Sequence, residues 1–124
     1  GYPGQGDDGE DTSGEQWLRG IQITNAQGAV DFTTIYPGYY PGRTAHVHVK
    51  VHLDASTLIT SQFYFPQATS DAVYADPRYQ GRDTQPITNA QDNIFTGDDP
   101  DGILSTAMVD DDGWSCTMVI GVAT

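Results

Sequence analysis

Residues 45–53 (AHVHVKVHL) form the stretch that most restricts how this chain can fold. Apolar and polar residues alternate there at every position, and a period of two is typical of a β-strand with one buried face. We therefore predict a strand with a core-facing row and an opposite polar row. The core-facing row comprises Val47, Val49, Val51 and Leu53. The polar row comprises His46, His48, Lys50 and His52, and it holds every histidine of the chain.

The rest of the pattern indicates a mostly β chain with short strands, long loops and little helix. Residues 17–35 show two alternating runs around NAQG, which predicts a strand, a tight turn at Gly28 and a second strand. Residues 56–65 predict another strand, and residues 102–122 predict two strands around a DDDG turn. Residues 70–79 are expected to form at most one or two helical turns. We therefore expect a β-sandwich or a barrel-like arrangement of mixed sheets.

Length and charge restrict the class of protein. The chain has 124 residues, so we expect a single domain, residues 1–124. Its formal net charge is −12 and its isoelectric point is about 4.1, which disfavours binding to nucleic acid by charge repulsion. The sequence has neither an apolar run of membrane-spanning length nor a basic amphipathic stretch, so we expect no membrane partner.

The histidine spacing is compatible with a metal site. Side chains at positions i and i+2 of a strand share a face about 6.5 to 7 Å apart, so His46 and His48 can reach one ion. A solvent-facing polar row also explains a bare His-x-His pattern, but the turn PGYYPGR brings Tyr39, Tyr40 and Arg43 to the same end of the strand. A bound cation can deprotonate a tyrosine, and the resulting phenolate is a hard ligand suited to a trivalent metal.

Two other kinds of metal site fit the sequence less well. A cupin needs a glutamate a few residues after the paired histidines, and no glutamate follows Glu15. A three-histidine zinc hydratase needs a third ligand, but His52 lies about 13 Å along the strand from His48. We expect His52 to be a structural or surface residue.

The segment TIYPGYYPGRTAHVHVKV resembles the signature of the intradiol ring-cleavage dioxygenases. These are non-haem Fe(III) enzymes that use O2 to open catechols between the two hydroxyl-bearing carbons, giving muconate-type diacids. The likeness extends through LRGIQITNAQGAVDFTTI, LITSQFYFP and, more loosely, DTQPITNAQDNIF. It implies that Tyr40 is an axial phenolate ligand and accepts a catechol proton, and that His46 and His48 are the imidazole ligands. It also implies that Arg43 stabilises negative charge on the bound catechol and that Gln62 lines the same pocket.

The family uses a second tyrosine ligand, which the resemblance locates in a GxYSG-type stretch upstream. This chain opens with GYPGQG, so we expect that tyrosine to precede Gly1, with Tyr2 as the alternative ligand. Residues 1–124 are accordingly expected to be an intradiol dioxygenase catalytic domain that lacks its N-terminal strands. The single Cys116 is expected to be a buried free thiol or to pair with a partner outside the sequence.

The acidic, lysine-poor composition resembles that of the secreted bacterial branch of this family. It implies an extracellular location, lignin-derived or other plant catechols as substrates, and a missing N-terminal segment or a fused carbohydrate-binding domain as partner. The alternative is a calcium-dependent carbohydrate-binding β-sandwich without catalysis, with GDDPDG and VDDDG as calcium loops and Trp17, Trp114 or the tyrosines as sugar platforms. Turn chemistry also explains both loops, and such a module gives no reason for histidines, a tyrosine and an arginine to share one end of a strand.

Overall fold

The chain divides into two compact units, residues 1–36 and residues 37–124. The structure is a computed structural model. It describes residues 13–54, 56–81, 86–110 and 113–122.

The first unit contains the predicted tight turn. The Asn25 side-chain oxygen accepts hydrogen bonds from the backbone N–H groups of Gln27 at 3.0 Å and Ala29 at 2.9 Å. Gly28 takes a positive φ of 77°, a conformation that glycine adopts without steric cost. The turn at NAQG is therefore confirmed.

The two strands predicted on either side of this turn are not formed. Residues 17–25 and 29–36 are not strands, so this part of the prediction is wrong. Strands are stabilised by cross-strand pairing and by burial of one face. The side chains of Ile21 and Ile23 are 95% and 93% exposed, so the alternating pattern has no buried face to occupy among the described residues.

The second unit begins with the predicted histidine strand and its partner. Strand β1 is His46–Leu53 and strand β2 is Ser56–Tyr64, and they pair antiparallel. The register places His46 opposite Tyr64 and His48 opposite Gln62. A bulge between Val51 and His52 shifts the register near the far end of the ladder. Both strands are confirmed.

Short helices follow the hairpin, and a second hairpin ends the described chain. The α-helices are α1 at Gln67–Tyr74, α2 at Asn93–Gly97 and α3 at Pro100–Ile103. Short 3-10 helices lie at Pro77–Tyr79 and Asn89–Gln91. Strands β3 (Thr106–Asp110) and β4 (Gly113–Thr117) pair antiparallel, as predicted. None of the described helices is long and apolar enough to cross a membrane.

The two sheets confirm a mostly β fold with little helix. Each has two antiparallel strands, and Tyr64 at the end of β2 forms a bridge to Leu104 just before β3. Neither sheet closes on itself within the described residues. The sandwich or barrel therefore stays a prediction.

The valine row of β1 is less buried than the alternation predicted. The three valines are half-buried, and Leu53 is 54% exposed. Leu53 follows the bulge, and a bulge interrupts the regular alternation of faces along a strand. The described chain therefore covers this row only in part.

The interior of the second unit is small and largely polar. Among the described residues of this unit, the buried apolar side chains are those of Tyr39, Ala45, Tyr64, Phe65 and Val73. Its buried polar residues are Thr44, Thr69, Ser70, Asn89, Asp92 and Ser105. Burying a polar group costs free energy unless the group is hydrogen-bonded. The interior therefore depends on the hydrogen bonds that join these polar residues.

Asp92 connects the start of β1 to α2. Its side chain has no exposed surface, and its Oδ2 accepts hydrogen bonds from Arg43 Nε at 2.9 Å and from the Thr44 backbone N–H at 3.0 Å. Its Oδ1 accepts from the backbone N–H groups of Ile94 and Phe95, which caps α2. Burial alone would raise the pKa of Asp92, but these donors outweigh burial and hold the pKa below its ordinary value.

Asn89 extends this polar interior to the end of β2. Its side-chain oxygen accepts a hydrogen bond from Thr44 Oγ1 at 2.9 Å, and its Nδ2 donates to the carbonyl of Phe65 at 2.9 Å. Its backbone N–H donates to the Gln67 side chain. The residues before β1, after β2 and before α2 are thus joined by one hydrogen-bonded network.

Replacing Asp92 by Asn should lower the free energy of unfolding by about 3 kcal/mol, because removal of one partner of a buried ion pair leaves the other charge unpaired. Urea unfolding measures the change. Asp76→Asn is the matched control. Asp76 pairs with Arg78 at 2.7 Å, but the Arg78 side chain is 84% exposed, and exposed pairs contribute little. Similar losses in the two variants would contradict a structural role for Asp92.

The lowered pKa of Asp92 predicts a specific acid dependence of stability. When the folded pKa lies below the unfolded one, the unfolded chain binds protons first as the pH falls. The stabilisation by Asp92 should therefore be complete above about pH 5 and be lost as the pH falls below about 4, towards the folded pKa. In urea unfolding at several pH values, the difference between wild type and Asp92→Asn should shrink over this window. A constant difference would contradict the assignment.

Candidate active site

A tight turn begins the site. The backbone N–H of Arg43 donates to the carbonyl of Tyr40 at 3.1 Å, and Gly42 takes a positive φ of 79°. With Pro41 before the glycine, this arrangement fits a type II turn, which needs a left-handed residue at its third position. The turn brings two side chains together, and Arg43 Nη1 donates to the Tyr40 hydroxyl at 3.1 Å.

The first residues of β1 bring both predicted histidine ligands beside this tyrosine. The ring centroids of His46 and His48 are 5.0 Å apart, and those of Tyr40 and His46 are 5.5 Å apart. The Tyr40 hydroxyl lies 3.3 Å from His46 Nε2. One phenol and two imidazoles therefore lie together at one end of the strand.

The tautomer of His46 follows from its hydrogen bonds. Its Nδ1 lies 2.8 Å from the backbone carbonyl of Thr44, and a carbonyl oxygen can only accept, so Nδ1 carries the proton. The lone pair of the neutral ring is then on Nε2, the atom that faces Tyr40. Metal-binding histidines are commonly oriented by such a bond from the other ring nitrogen to a carbonyl.

The surroundings of both imidazoles favour the neutral form. Burial lowers the pKa of His46, and the nearby Arg43 charge lowers it further, against the opposing effect of the bond to Thr44. Burial also lowers the pKa of His48, together with the neighbouring His46 and Arg43. A histidine must be neutral to bind a metal, so this electrostatic environment favours the ligand form.

Arg43 is held by three other side chains. Its Nε pairs with Asp92, while its Nη2 donates to Gln62 Oε1 at 2.6 Å and to the Tyr64 hydroxyl at 2.8 Å. Burial lowers the pKa of Arg43, but the hydrogen bond and charge of Asp92 outweigh burial, so the net pKa is raised. The guanidinium is thus a fixed cation next to Tyr40.

Two residues of this network were missed by reasoning from the sequence. Tyr64 is fully buried and ends β2, and Asp92 lies 49 residues beyond Arg43 in the chain. A local signal existed for Asp92, because Asp before a short helix is a common N-cap. No local pattern indicates that its second carboxylate oxygen binds an arginine from the other end of the domain.

A pocket of about 410 Å³ opens beside His48 and Gln62. Its other lining residues come from β2 and from the α2–α3 segment: Thr60, Ser61, Asp98, Asp99 and Ile103. A predicted metal ligand and a predicted pocket residue therefore share one cavity wall.

The donor atoms at this site fit Fe(III). No three His, Cys, Asp or Glu side chains in the described ranges come together as a metal-binding group, so an all-imidazole or carboxylate site is not formed there. The phenol of Tyr40 with the neutral His46 and His48 supplies one hard oxygen and two nitrogen donors. Hard anionic oxygen suits a trivalent cation, and imidazole suits iron.

The remaining predicted residues lie away from Tyr40, His46 and His48 or fall outside the residues that the structure describes. His52 is exposed beyond the bulge of β1. Cys116 is an exposed free thiol in β4, so the expectation of a buried thiol is wrong, while a partner outside the sequence stays a prediction. Tyr2 lies outside the described residues, as does part of the VDDDG loop.

Two of the solved structures that are similar to this chain are dioxygenases. An intradiol ring-cleavage dioxygenase from Tetranychus urticae has a TM-score of 0.81 and 26% sequence identity over 92% of this chain and 57% of that chain. The crystal structure of another dioxygenase has a TM-score of 0.73 and 30% identity over 81% of this chain and 48% of that one. This chain thus spans about half the length of its solved relatives.

Sequence comparison adds no further relatives. No protein-family model matches the chain, and no curated protein matches it. The carbohydrate-binding alternative is not favoured by the structural relatives, and the secreted bacterial branch stays a prediction.

The family resemblance predicted from the sequence is confirmed by the fold, and this chain is a structural relative of the intradiol ring-cleavage dioxygenases.

Proposed function

We propose that this chain contributes the Fe(III)-binding part of an intradiol dioxygenase that cleaves catechol-type aromatics with O2 to muconate-type diacids. One observation carries the proposal: Tyr40, His46 and His48 lie together beside the fixed cation of Arg43. The dioxygenases with which the chain shares its fold support the same kind of reaction.

Tyr40, His46 and His48 would hold the iron. Bound Fe(III) would supply the Lewis acidity that attracts both catechol oxygens and makes their protons more acidic. Tyr40, deprotonated by the bound cation, would be the base of the site, because its phenolate oxygen could accept one catechol proton. The neutral Nε2 of His46, oriented by the Thr44 carbonyl, stays available as a ligand throughout.

Arg43 and Gln62 would position the substrate. The guanidinium stabilises negative charge that develops on the catechol oxygens, and it is already oriented before the substrate binds. Gln62 lines the pocket next to His48. Asp98 and Asp99 also line this pocket, and their charge disfavours catechols that carry a negative ring substituent.

Composition supports a proposal about the natural setting of the protein. With 17 acidic and 5 basic residues, the chain resembles secreted members of the family, and we propose an extracellular enzyme that acts on lignin-derived or other plant catechols. The second tyrosine ligand would be Tyr2 or a tyrosine upstream of Gly1.

Tyr40→Phe tests the phenolate. With Fe(III) added, the wild-type chain should show the broad visible charge-transfer band of ferric tyrosinate, and the band should shift when catechol is added without oxygen. The variant should lose most of the band and the catechol response, because phenylalanine has no oxygen to bind iron. A visible absorption spectrum makes the measurement.

Tyr39→Phe is the matched control. Tyr39 is the neighbouring tyrosine, but its ring is buried and packs edge-on against Tyr74 at 5.0 Å. The control should keep the wild-type spectrum. Equal loss of colour in both variants, or full colour in Tyr40→Phe, would contradict Tyr40 as the ligand.

His48→Ala should weaken Fe(III) binding by about 100-fold or more, because loss of a direct ligand exceeds the effect of losing a residue that only orients one. Competition with a chelator measures the dissociation constant. His52→Ala removes a histidine from the same strand and should change binding by less than about twofold. A larger effect at His52 would show that the strand binds metal through a different pair.

A further inference from the structure

The Arg43 guanidinium has nearly all of its hydrogen-bond donors in use. An arginine carries five N–H groups, and four of them have acceptors here: Asp92 for Nε, Tyr40 for Nη1, and both Gln62 and Tyr64 for Nη2. Among the described residues, the second N–H of Nη1 has no acceptor. This N–H lies on the same nitrogen that contacts the phenolic oxygen of Tyr40.

Tyr64 has a double role in this network. Its hydroxyl accepts from Arg43 Nη2 at 2.8 Å and donates to Gln62 Oε1 at 3.0 Å. Burial raises the pKa of Tyr64 despite the nearby arginine, so the phenol keeps the proton that it donates. Its ring is held against Phe95, with centroids 5.1 Å apart, and its carbonyl accepts from the Ser105 backbone N–H.

The same contacts determine how the Gln62 amide is turned. Arginine can only donate, and the Tyr64 hydroxyl donates its proton to the same oxygen, so Oε1 must face both groups. The NH2 group of Gln62 then remains a hydrogen-bond donor, and Gln62 is one of the residues that line the pocket. Tyr64 therefore aligns two groups that the proposed reaction uses.

We infer that Tyr64 and Asp92 are positioning residues of this site: they hold the Arg43 guanidinium at Nη2 and Nε, so that Nη1 faces Tyr40 and the catechol that binds there. The inference rests on the proposed function for its catalytic meaning, but the alignment itself is a property of the metal-free chain. Neither residue lines the pocket beside His48 and Gln62. Together, Tyr64 and Asp92 orient one N–H of Arg43 and the amide of Gln62 before the catechol binds.

Rotation of the guanidinium in the metal-free protein tests the alignment directly. The chain has four arginines, so 15N arginine labelling gives few signals, and Arg43→Lys assigns that of Arg43. In the wild type, Arg43 should show separate Nη1 and Nη2 resonances because its rotation is restricted. In Tyr64→Phe, which keeps the ring, exchange between them should be about tenfold faster, since a hydrogen bond to a charged group is lost.

Tyr74→Phe is the matched control. Its hydroxyl donates to the Pro37 carbonyl at 3.0 Å, so the substitution removes a comparable part-buried phenol hydrogen bond outside the site. This control should leave Arg43 exchange unchanged, whatever it does to thermal stability. Exchange within about twofold of wild type in both Tyr64→Phe and Asp92→Asn would overturn the inference.

Catechol binding gives the second measurement. In the Fe(III)-loaded protein without oxygen, Tyr64→Phe should weaken catechol binding by about tenfold, while Fe(III) affinity stays within about twofold of wild type. Unchanged catechol affinity would overturn the positioning role. If wild type binds no Fe(III), the proposed function fails, and the exchange rates in the metal-free protein still decide whether Tyr64 and Asp92 hold the guanidinium.

Discussion

The ion pair between Arg43 and Asp92 is the interaction on which the rest of this structure depends. A carboxylate without any exposed surface is tolerated only when its oxygens are fully hydrogen-bonded, and Asp92 meets this condition with donors from the turn before β1 and from the start of α2. Two segments 49 residues apart are thereby joined. The same pair determines the direction in which the guanidinium points.

The rest of the site is built on the short antiparallel ladder of β1 and β2. Because the register places His48 opposite Gln62 and His46 opposite Tyr64, one strand presents the candidate ligands and the other presents two acceptors for Arg43, Gln62 and Tyr64. Neighbouring strands are about 4.8 Å apart, so these side chains meet without a large core. This geometry explains how a small, mostly polar interior can hold a group of aligned polar side chains.

The sequence predicted those parts of the fold that depend on neighbouring residues of the chain. The histidine hairpin and the last hairpin were predicted from alternation and turn residues, and the PGYYPG turn indicated that Tyr40 and Arg43 would lie near His46. The prediction failed for residues 17–35, where alternation was present but no strand forms. Alternation shows which side chains could share a face, and it does not show whether a partner strand or a buried layer is present.

By itself, the sequence determined the identity and spacing of the candidate ligands, because a turn and a two-residue period are local properties of the chain. It also determined the family resemblance, which the fold confirmed. Only the tertiary structure decided that Asp92 and Tyr64 surround Arg43, and that the lone pair of His46 faces Tyr40. These features depend on contacts between distant residues, whose burial and hydrogen bonds exist only once the strands and helices have packed together.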